Sequence, residues 1–174
     1  MIQQRVVRPA AITLVLAACS ANTSPEVGST TLLTAFPAAG AEGVATHPRI
    51  EVIFDAPIAA RSGHPIALQV GDCPGPVVAG VWSRTADGMA LTFTPFEPLT
   101  RSTRYTIHVG GGLTDARGAR VDLDRHGPTL GAAWVTRDMV MGMTMMGMGE
   151  SHSGPEWQYP NGKYGLAFSF TTGP

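Results

Sequence analysis

The sequence has few cysteines and few charged residues. Of its 174 residues only two are cysteine and 14% are charged, and the net charge at pH 7 is −1. A near-neutral chain lacks the dense positive charge that holds nucleic acid, so no nucleic-acid partner is predicted. The apolar run at residues 10–18 is shorter than the about 20 residues that a membrane-spanning helix needs.

Catalytic motifs are missing as well. The sequence contains no HExxH, no CxxC and no phosphate-binding loop, which excludes the commonest metal-hydrolase, redox and nucleotide sites. No catalytic residue is therefore assigned, and the chain is predicted not to be an enzyme.

The N-terminus has the pattern of an export signal. Arg5 and Arg8 precede the apolar run at residues 10–18, and the run ends at Cys19. The four residues Leu16-Ala17-Ala18-Cys19 resemble the lipobox of bacterial lipoproteins. That resemblance implies that residues 1–18 are a signal peptide, that Cys19 carries fatty acyl chains such as palmitate, and that the chain is lipid-anchored to a membrane. An ordinary cleaved signal with an incidental cysteine is the alternative.

Cleavage before Cys19 would remove 18 of the 174 residues and leave 156, enough for one domain with its own core. Ser20 is not the aspartate that retains such lipoproteins at the inner membrane, so the outer membrane is favoured if the host has two membranes. Residues 19–30 are small and polar, which predicts a flexible tether, and the domain is predicted over residues 31–174.

Cys73 would then be the single free thiol of the mature chain. It lies in the glycine- and proline-rich stretch at residues 71–76, which predicts a surface turn. A disulfide with a partner, a soft metal ligand and an unpaired thiol without consequence all remain open for Cys73.

Apolar and polar residues alternate on both sides of a proline-rich corner, in the stretches 91–95 and 105–109. A period of two predicts β-strands that bury one face. Further candidate strands cover residues 31–36, 49–55, 65–70, 77–82, 119–123 and 164–172, separated by glycine and proline turns. The pattern predicts an all-β sandwich with no helix longer than a turn or two.

Several segments together resemble the bacterial Ig-like domains of the S-layer and surface-protein type. They are Phe36-Pro37-Ala38, Gly43-Val44, the stretch from Ile50 to Pro57, Leu91-Thr92-Phe93-Thr94-Pro95, Pro98-Leu99, Thr103-Arg104-Tyr105, the stretch from Leu113 to Gly118, and the closing Phe168-Ser169-Phe170-Thr171-Thr172. The resemblance implies an antiparallel Ig-like β-sandwich of about seven strands. It also implies a non-enzymatic cell-envelope module with a structural or protein-interaction role, whose protein partner the sequence does not identify.

Three residues of this pattern are predicted to be structural. Tyr105 follows the proline corner, where its hydroxyl is expected to bond a backbone group as in a tyrosine corner. Asp115 and Gly118 are expected to form a tight turn, with the carboxylate capping backbone N–H groups. A calcium site that uses Asp115, Asp122 and Asp124 is the alternative.

An insertion of about residues 125–162 interrupts the pattern before the last strand. Six of the eight methionines lie within residues 139–148, and their alternation predicts an extended strand or hairpin. Thioethers are soft ligands that suit Cu(I), so copper(I) is the possible cofactor. Its candidate ligands are Met139, Met141, Met143, Met145, Met146, Met148 and His152.

Two other uses of the methionines remain open. They can serve as adaptable apolar packing against the sandwich or against a partner, or as sacrificial targets of oxidation. Convergence of the sulfur atoms at an accessible point would favour copper, whereas burial against aromatic rings would favour packing. His47, His64 and His108 are predicted to be solvated, the last because it points away from the core face of its strand.

Overall fold

A computed structural model describes residues 26–61, 63–145, 152 and 154–174 of the chain. The described strands are β1 (Val27–Phe36), β2 (Ile50–Phe54), β3 (Ile66–Val70), β4 (Gly80–Arg84), β5 (Ala90–Pro95), β6 (Arg104–Val109), β7 (Arg120–Asp122), β8 (Ala133–Trp134) and β9 (Leu166–Thr171). A 3₁₀ helix, Gly127–Leu130, and one α-helix, α1 (Arg137–Met145), lie between β7 and β9.

The strands form two sheets. The five-stranded sheet has the order β4-β5-β2-β1-β7, and the four-stranded sheet has the order β3-β6-β9-β8. Every strand pair is antiparallel except β1 with β7, which is parallel. The prediction of an all-β, Ig-like sandwich is confirmed.

The core lies between the sheets and is built from alternate residues of each strand. Its largest fully buried side chains include Leu32, Phe54, Leu91, Ile107, Phe168 and Phe170. Each such side chain contributes about 1.5–3 kcal/mol when it is removed from water, so strand alternation drives the sheets together.

The first strand begins earlier than the sequence predicts. β1 starts at Val27, inside the predicted tether of residues 19–30, and Thr30 and Thr31 are buried. The Thr30 hydroxyl donates to Asp115 Oδ2 at 3.0 Å. Small polar residues show no hydrophobic period, so sequence alone does not separate such a strand from a linker.

The methionine segment is helical over the residues described, so the prediction of an extended strand or hairpin is wrong there. Met139, Met141, Met143 and Met145 all fall within the backbone of α1. Methionine is a good helix former and Asp138 lies in the first turn, where a negative charge is favourable. The prediction of no helix longer than a turn or two fails for the same reason.

The insertion forms a third layer on the outer face of the four-stranded sheet. Its β8 pairs with β9 at the sheet edge, and α1 follows. A second apolar cluster holds this layer in place, formed by Ala67, Cys73, Val135, Val140, Trp157, Tyr164 and Ala167. Within the described ranges, no helix is long and apolar enough to cross a bilayer.

Candidate functional site

The four-stranded sheet carries a buried histidine on its outer face. His108 on β6 is 0% exposed, so the prediction that it is solvated is wrong. The alternation of β6 does point His108 away from the main core, but the insertion covers that face. The burial therefore comes from residues far along the chain and not from the strand itself.

His108 meets a second histidine from the insertion. His108 Nδ1 lies 3.3 Å from Nδ1 of His152, which is 5% exposed. The other ring nitrogen of His108, Nε2, lies 2.7 Å from the carbonyl oxygen of Tyr164. Because a carbonyl only accepts, Nε2 of His108 carries the proton and donates it.

Two further side chains complete this histidine cluster. Gln69 on β3 places Nε2 at 2.8 Å from His152 Nδ1. The indole of Trp157 stacks on the His152 ring at a centroid distance of 4.0 Å and lies 4.5 Å from the ring of His108. We call His108, His152, Gln69 and Trp157 the histidine cluster.

The protonation state of His108 follows from its surroundings. Burial lowers the pKa of His108 to about 3, with a further lowering by the charge of His152, although the bond to the Tyr164 carbonyl acts in the opposite direction. The imidazole is therefore neutral at ordinary pH, and its Nδ1 presents a lone pair toward His152. Nδ1 of His108 is therefore able to accept a hydrogen bond from His152.

The described methionines do not converge. Met139 is 37% exposed and Met141 is 46% exposed, while Val140 between them is buried in the second apolar cluster. Residues two apart on a helix point to different sides, so these two side chains do not share a face. The predicted positions Met146 and Met148 lie outside the described residues, and of the side chains of Met143 and Met145 nothing is described.

Cys73 lies on a bend at residues 71–74, within the predicted turn, but its side chain is buried. It belongs to the second apolar cluster, together with Val140 and Trp157. Burial, together with the nearby Asp72 carboxylate, raises the pKa of the Cys73 thiol to about 12. In the described part of the chain, no three His, Cys, Asp or Glu residues come together as a metal site.

A groove runs along the edge strand β4. It has a volume of about 410 Å³ and is lined by Arg61, His64, Ile66, Val81, Trp82 and Arg84, among others. His64 is half-buried rather than solvated, and burial, then the charges of Arg61 and Arg84, lowers its pKa. The groove therefore combines an aromatic ring with two cationic side chains.

The three residues predicted to be structural lie away from these sites. Tyr105 Oη accepts a hydrogen bond from the Thr100 N–H at 2.8 Å, across the proline corner. Asp115 Oδ1 accepts from the N–H groups of Arg117 and Ala119, at 2.9 and 3.0 Å. Gly118 has a φ of +84°, which favours glycine in this turn.

Sequence reasoning found one member of the histidine cluster, His152, and missed three. Gln69, His108 and Trp157 belong to three separate segments, and no spacing in the sequence brings them together. The one available signal is an imidazole at an outward position of a strand beside an insertion long enough to cover it.

The chain matches a known family over more than half of its length. The family of bacterial Ig-like domains matches residues 21–126. Among solved structures, the chain is similar to the crystal structure of the S-layer protein rSbsC, with 14% identity and a TM-score of 0.38. That match covers 53% of this chain and only 12% of the S-layer protein. No curated protein matches the sequence.

Proposed function

The chain belongs to the bacterial Ig-like domain family, and from this premise we propose that it is a lipid-anchored module of the bacterial cell envelope that binds a protein partner. Domains of this family are non-enzymatic structural modules, and such a domain fits a structural or interaction role. The binding surface and the anchor are argued separately below.

The observation that carries the proposal is the edge strand β4. Among the described strands it ends the five-stranded sheet and pairs with β5 alone. An edge strand presents backbone N–H and C=O groups to which a further strand can bond. Val81 on this strand is 49% exposed, and Val77 just before it is also exposed. No other strand of the described residues pairs with the outer side of β4, which supports strand addition by a partner.

The groove beside β4 supports a particular kind of partner. Trp82 offers an apolar surface, and Arg61 and Arg84 offer positive charge at the same groove. Arg84 is held in place because its Nε donates to the Ile58 carbonyl at 2.8 Å. An extended protein segment with an apolar side chain and a nearby carboxylate would match this surface.

Photo-crosslinking in cells tests the binding surface with a matched control. A photoreactive residue replaces Val81 on β4 in one variant and Leu33 in the other. Leu33 is 48% exposed, like Val81, but lies on β1 inside the sheet. We expect a discrete protein adduct from position 81 and none from position 33. The same adduct from both positions, or none from either, would contradict the proposed edge.

The lipid anchor is supported by the lipobox at residues 16–19, which lies outside the described residues. Metabolic labelling with an alkyne fatty acid, followed by membrane fractionation, tests it. We expect label and recovery in the membrane fraction for the wild-type chain, in the outer membrane if the host has two, and loss of both for Cys19→Ser. Label that persists in Cys19→Ser would exclude this anchor.

Copper(I) capture by the methionine segment at residues 139–148 is the second candidate function. The exposure of Met139 and Met141 argues against packing as their role, although these two side chains point to different sides of α1 and would need other ligands to complete a site. Anaerobic Cu(I) titration against a competing chelator tests it, alongside a triple variant with Leu at positions 141, 143 and 145. Binding tighter than about micromolar that the variant loses would support copper handling. Equal weak binding by both chains would exclude it.

A further inference from the structure

The histidine cluster lies between the four-stranded sheet and the insertion that covers its outer face. His108 belongs to β6, whereas His152 and Trp157 belong to the insertion, and all three side chains are buried. We propose that His108 makes this contact sensitive to acid: when His108 takes up a proton, the insertion residues of the second apolar cluster separate from the sheet. The proposal does not depend on the lipid anchor, on the partner at β4 or on copper.

The hydrogen bonds of His108 fit its neutral form. Its Nε2–H donates to the Tyr164 carbonyl at 2.7 Å, and its Nδ1 accepts from His152 Nδ1 at 3.3 Å. A second proton on His108 would have to sit on Nδ1, against the proton that His152 directs at it. The contact therefore favours a neutral His108.

Gln69 fits the same arrangement. Its amide group lies 2.8 Å from His152 Nδ1, and Oε1 of that amide is buried and has no hydrogen-bond partner within the described residues. A half-turn of the amide places Oε1 at this distance, where it accepts from the same N–H. The His152 N–H is then shared between Gln69 and His108, which leaves no place for a further proton between the two rings.

No carboxylate packs against His108 among the described residues. The side chains packed on this face of the sheet are Ala67, Gln69, Cys73, Val135, Val140, His152, Trp157, Tyr164 and Ala167. Three of them are titratable, but the thiol of Cys73 and the phenol of Tyr164 carry no charge in acid. A charge on His152 would repel a charge on His108. A proton on His108 would therefore be a buried charge without compensation, which is costly.

An ion pair on the same face does not compensate this charge. Arg104 is four residues from His108 along β6 and pairs with Asp72 at 2.8 Å, and both of these side chains are exposed. Because charges in contact with water are screened, the pair acts only weakly on a buried imidazole.

The direction of the pH effect follows from the pKa of His108. Burial is the main cause that lowers this pKa to about 3 in the packed state, from the value of about 6.5 in water. A released His108 binds more protons than a packed one between these two values, so the packed state loses stability as the pH falls from about 6.5 to about 3. Each pH unit in that interval multiplies the ratio of released to packed molecules by about ten.

The charge acts on the outer layer and not on the main core. Ile107 and Val109, the neighbours of His108 on β6, point to the opposite face and are fully buried in the main core. The insertion residues Val140 and Trp157 are held by the smaller second apolar cluster. We expect these residues to separate while the two sheets stay together.

The labelling rate of Cys73 tests the proposal in the full chain with Cys19→Ser. Cys73 packs with Val140 and Trp157, so their separation exposes its thiol. A dipyridyl disulfide is the probe because it reacts with thiols in acid as well as at neutral pH, and the rate in denaturant at the same pH corrects for ionisation. We expect the corrected rate to rise at least tenfold between pH 6.5 and pH 4.5. A corrected rate that stays constant would overturn the proposal.

Two variants assign the effect to one histidine. His108→Gln removes the titrating ring, and His64→Gln removes the other described histidine whose pKa is lowered, in the groove beside β4. We expect a corrected rate nearly independent of pH in His108→Gln and an unchanged rise in His64→Gln. A rise that persists in His108→Gln, or that disappears in His64→Gln, would overturn the proposal.

Nuclear Overhauser contacts of the wild-type chain test the proposal without depending on the folding of a variant. The rings of His108 and Trp157 have centroids 4.5 Å apart on the outer face, and the matched pair Tyr105 and Phe170 have centroids 5.7 Å apart in the main core. We expect acid to remove the first contact at a pH where the second persists. Loss of both contacts together, or persistence of the first one down to pH 4, would overturn the proposal.

Discussion

The hydroxyl of Tyr105 accepts a hydrogen bond from the backbone N–H of Thr100, at a distance of 2.8 Å. The Tyr105 ring is buried and stacks near Phe170 with centroids 5.7 Å apart. The bond therefore ties the corner before β6 to the core. Without it, the Thr100 N–H would have to find water at the rim of the domain.

Replacement of Tyr105 by Phe should lower the free energy of unfolding by about 1 kcal/mol, because the ring stays and only the hydrogen bond is lost. The denaturant midpoint of Tyr105→Phe measures the loss. Tyr159→Phe is the control, since the Tyr159 hydroxyl donates a longer bond of 3.3 Å to Asp122. An unchanged midpoint for Tyr105→Phe would count against the corner as a source of stability.

Asp115 should make the domain sensitive to acid. Burial alone would raise the pKa of Asp115, but bonds from the Thr30 hydroxyl and from the Arg117 and Ala119 N–H groups, with the Arg117 charge, together lower it. A lowered pKa in the folded state gives stability that is present above the unfolded pKa of about 3.9 and is lost as pH falls through the folded value.

Asp115→Asn should therefore lose about 1–2 kcal/mol of stability at pH 7, since it cannot make charged hydrogen bonds. The difference between wild type and variant should shrink as pH falls from 5 to 3. Unfolding free energies measured across that range check the slope, and Asp124→Asn, at an exposed carboxylate, is the control. A constant difference at every pH would show that the charge of Asp115 is not involved.

Val140 should anchor the insertion, whereas its neighbour should not. Val140 is 2% exposed in the second apolar cluster, and Met141 is largely exposed. Val140→Ala should destabilise the chain by about 1–2 kcal/mol through lost burial and a residual cavity. Met141→Ala should cost much less. Equal effects in thermal unfolding would show that α1 does not pack through Val140.

The thiol of Cys73 should be unreactive in the folded chain. Burial first, and the Asp72 carboxylate second, raise the pKa of Cys73 to about 12, and the reactive form is the thiolate. In a chain with Cys19→Ser, a disulfide reagent at pH 8 should label Cys73 at least tenfold more slowly than in denaturant. Equal labelling rates would show that this part of the cluster is open to solvent.

The sandwich could be predicted from sequence because each strand shows its period of two within its own few residues. Alternate apolar residues in β5, β6 and β9 carry the period of a strand within each segment. The family match ends at residue 126, beside the predicted start of the insertion at residue 125. The start of the domain was predicted too late in the chain, because β1 begins with small polar residues. The burial of those residues depends on contacts such as that of Thr30 with Asp115.

The histidine cluster could not be predicted because its residues come from segments that are far apart in the sequence. His108 and His152 are 44 residues apart in the sequence. The insertion buries His108, and the secondary structure of the insertion was itself predicted wrongly, as a strand or hairpin instead of α1. The alternating methionines at residues 139–145 have the period of a strand, but methionine also has a good helix propensity. The structure has a helix there, and that helix buries Val140. Exposure on a strand face follows from alternation only when nothing packs on that face.

The central place of β9 in its sheet has a consequence for biosynthesis. β9 lies between β6 and β8, and β6 pairs with it along its whole length. Until Thr171 has left the ribosome, β6 has only β3 as a neighbour and the main core lacks Phe168 and Phe170. We expect the nascent chain to stay loosely collapsed until then, because the five-stranded sheet has only the two-stranded β3–β6 pair to cover its core face. Such a chain would remain unfolded enough to be threaded through a membrane channel, which the export signal predicted for residues 1–18 would require.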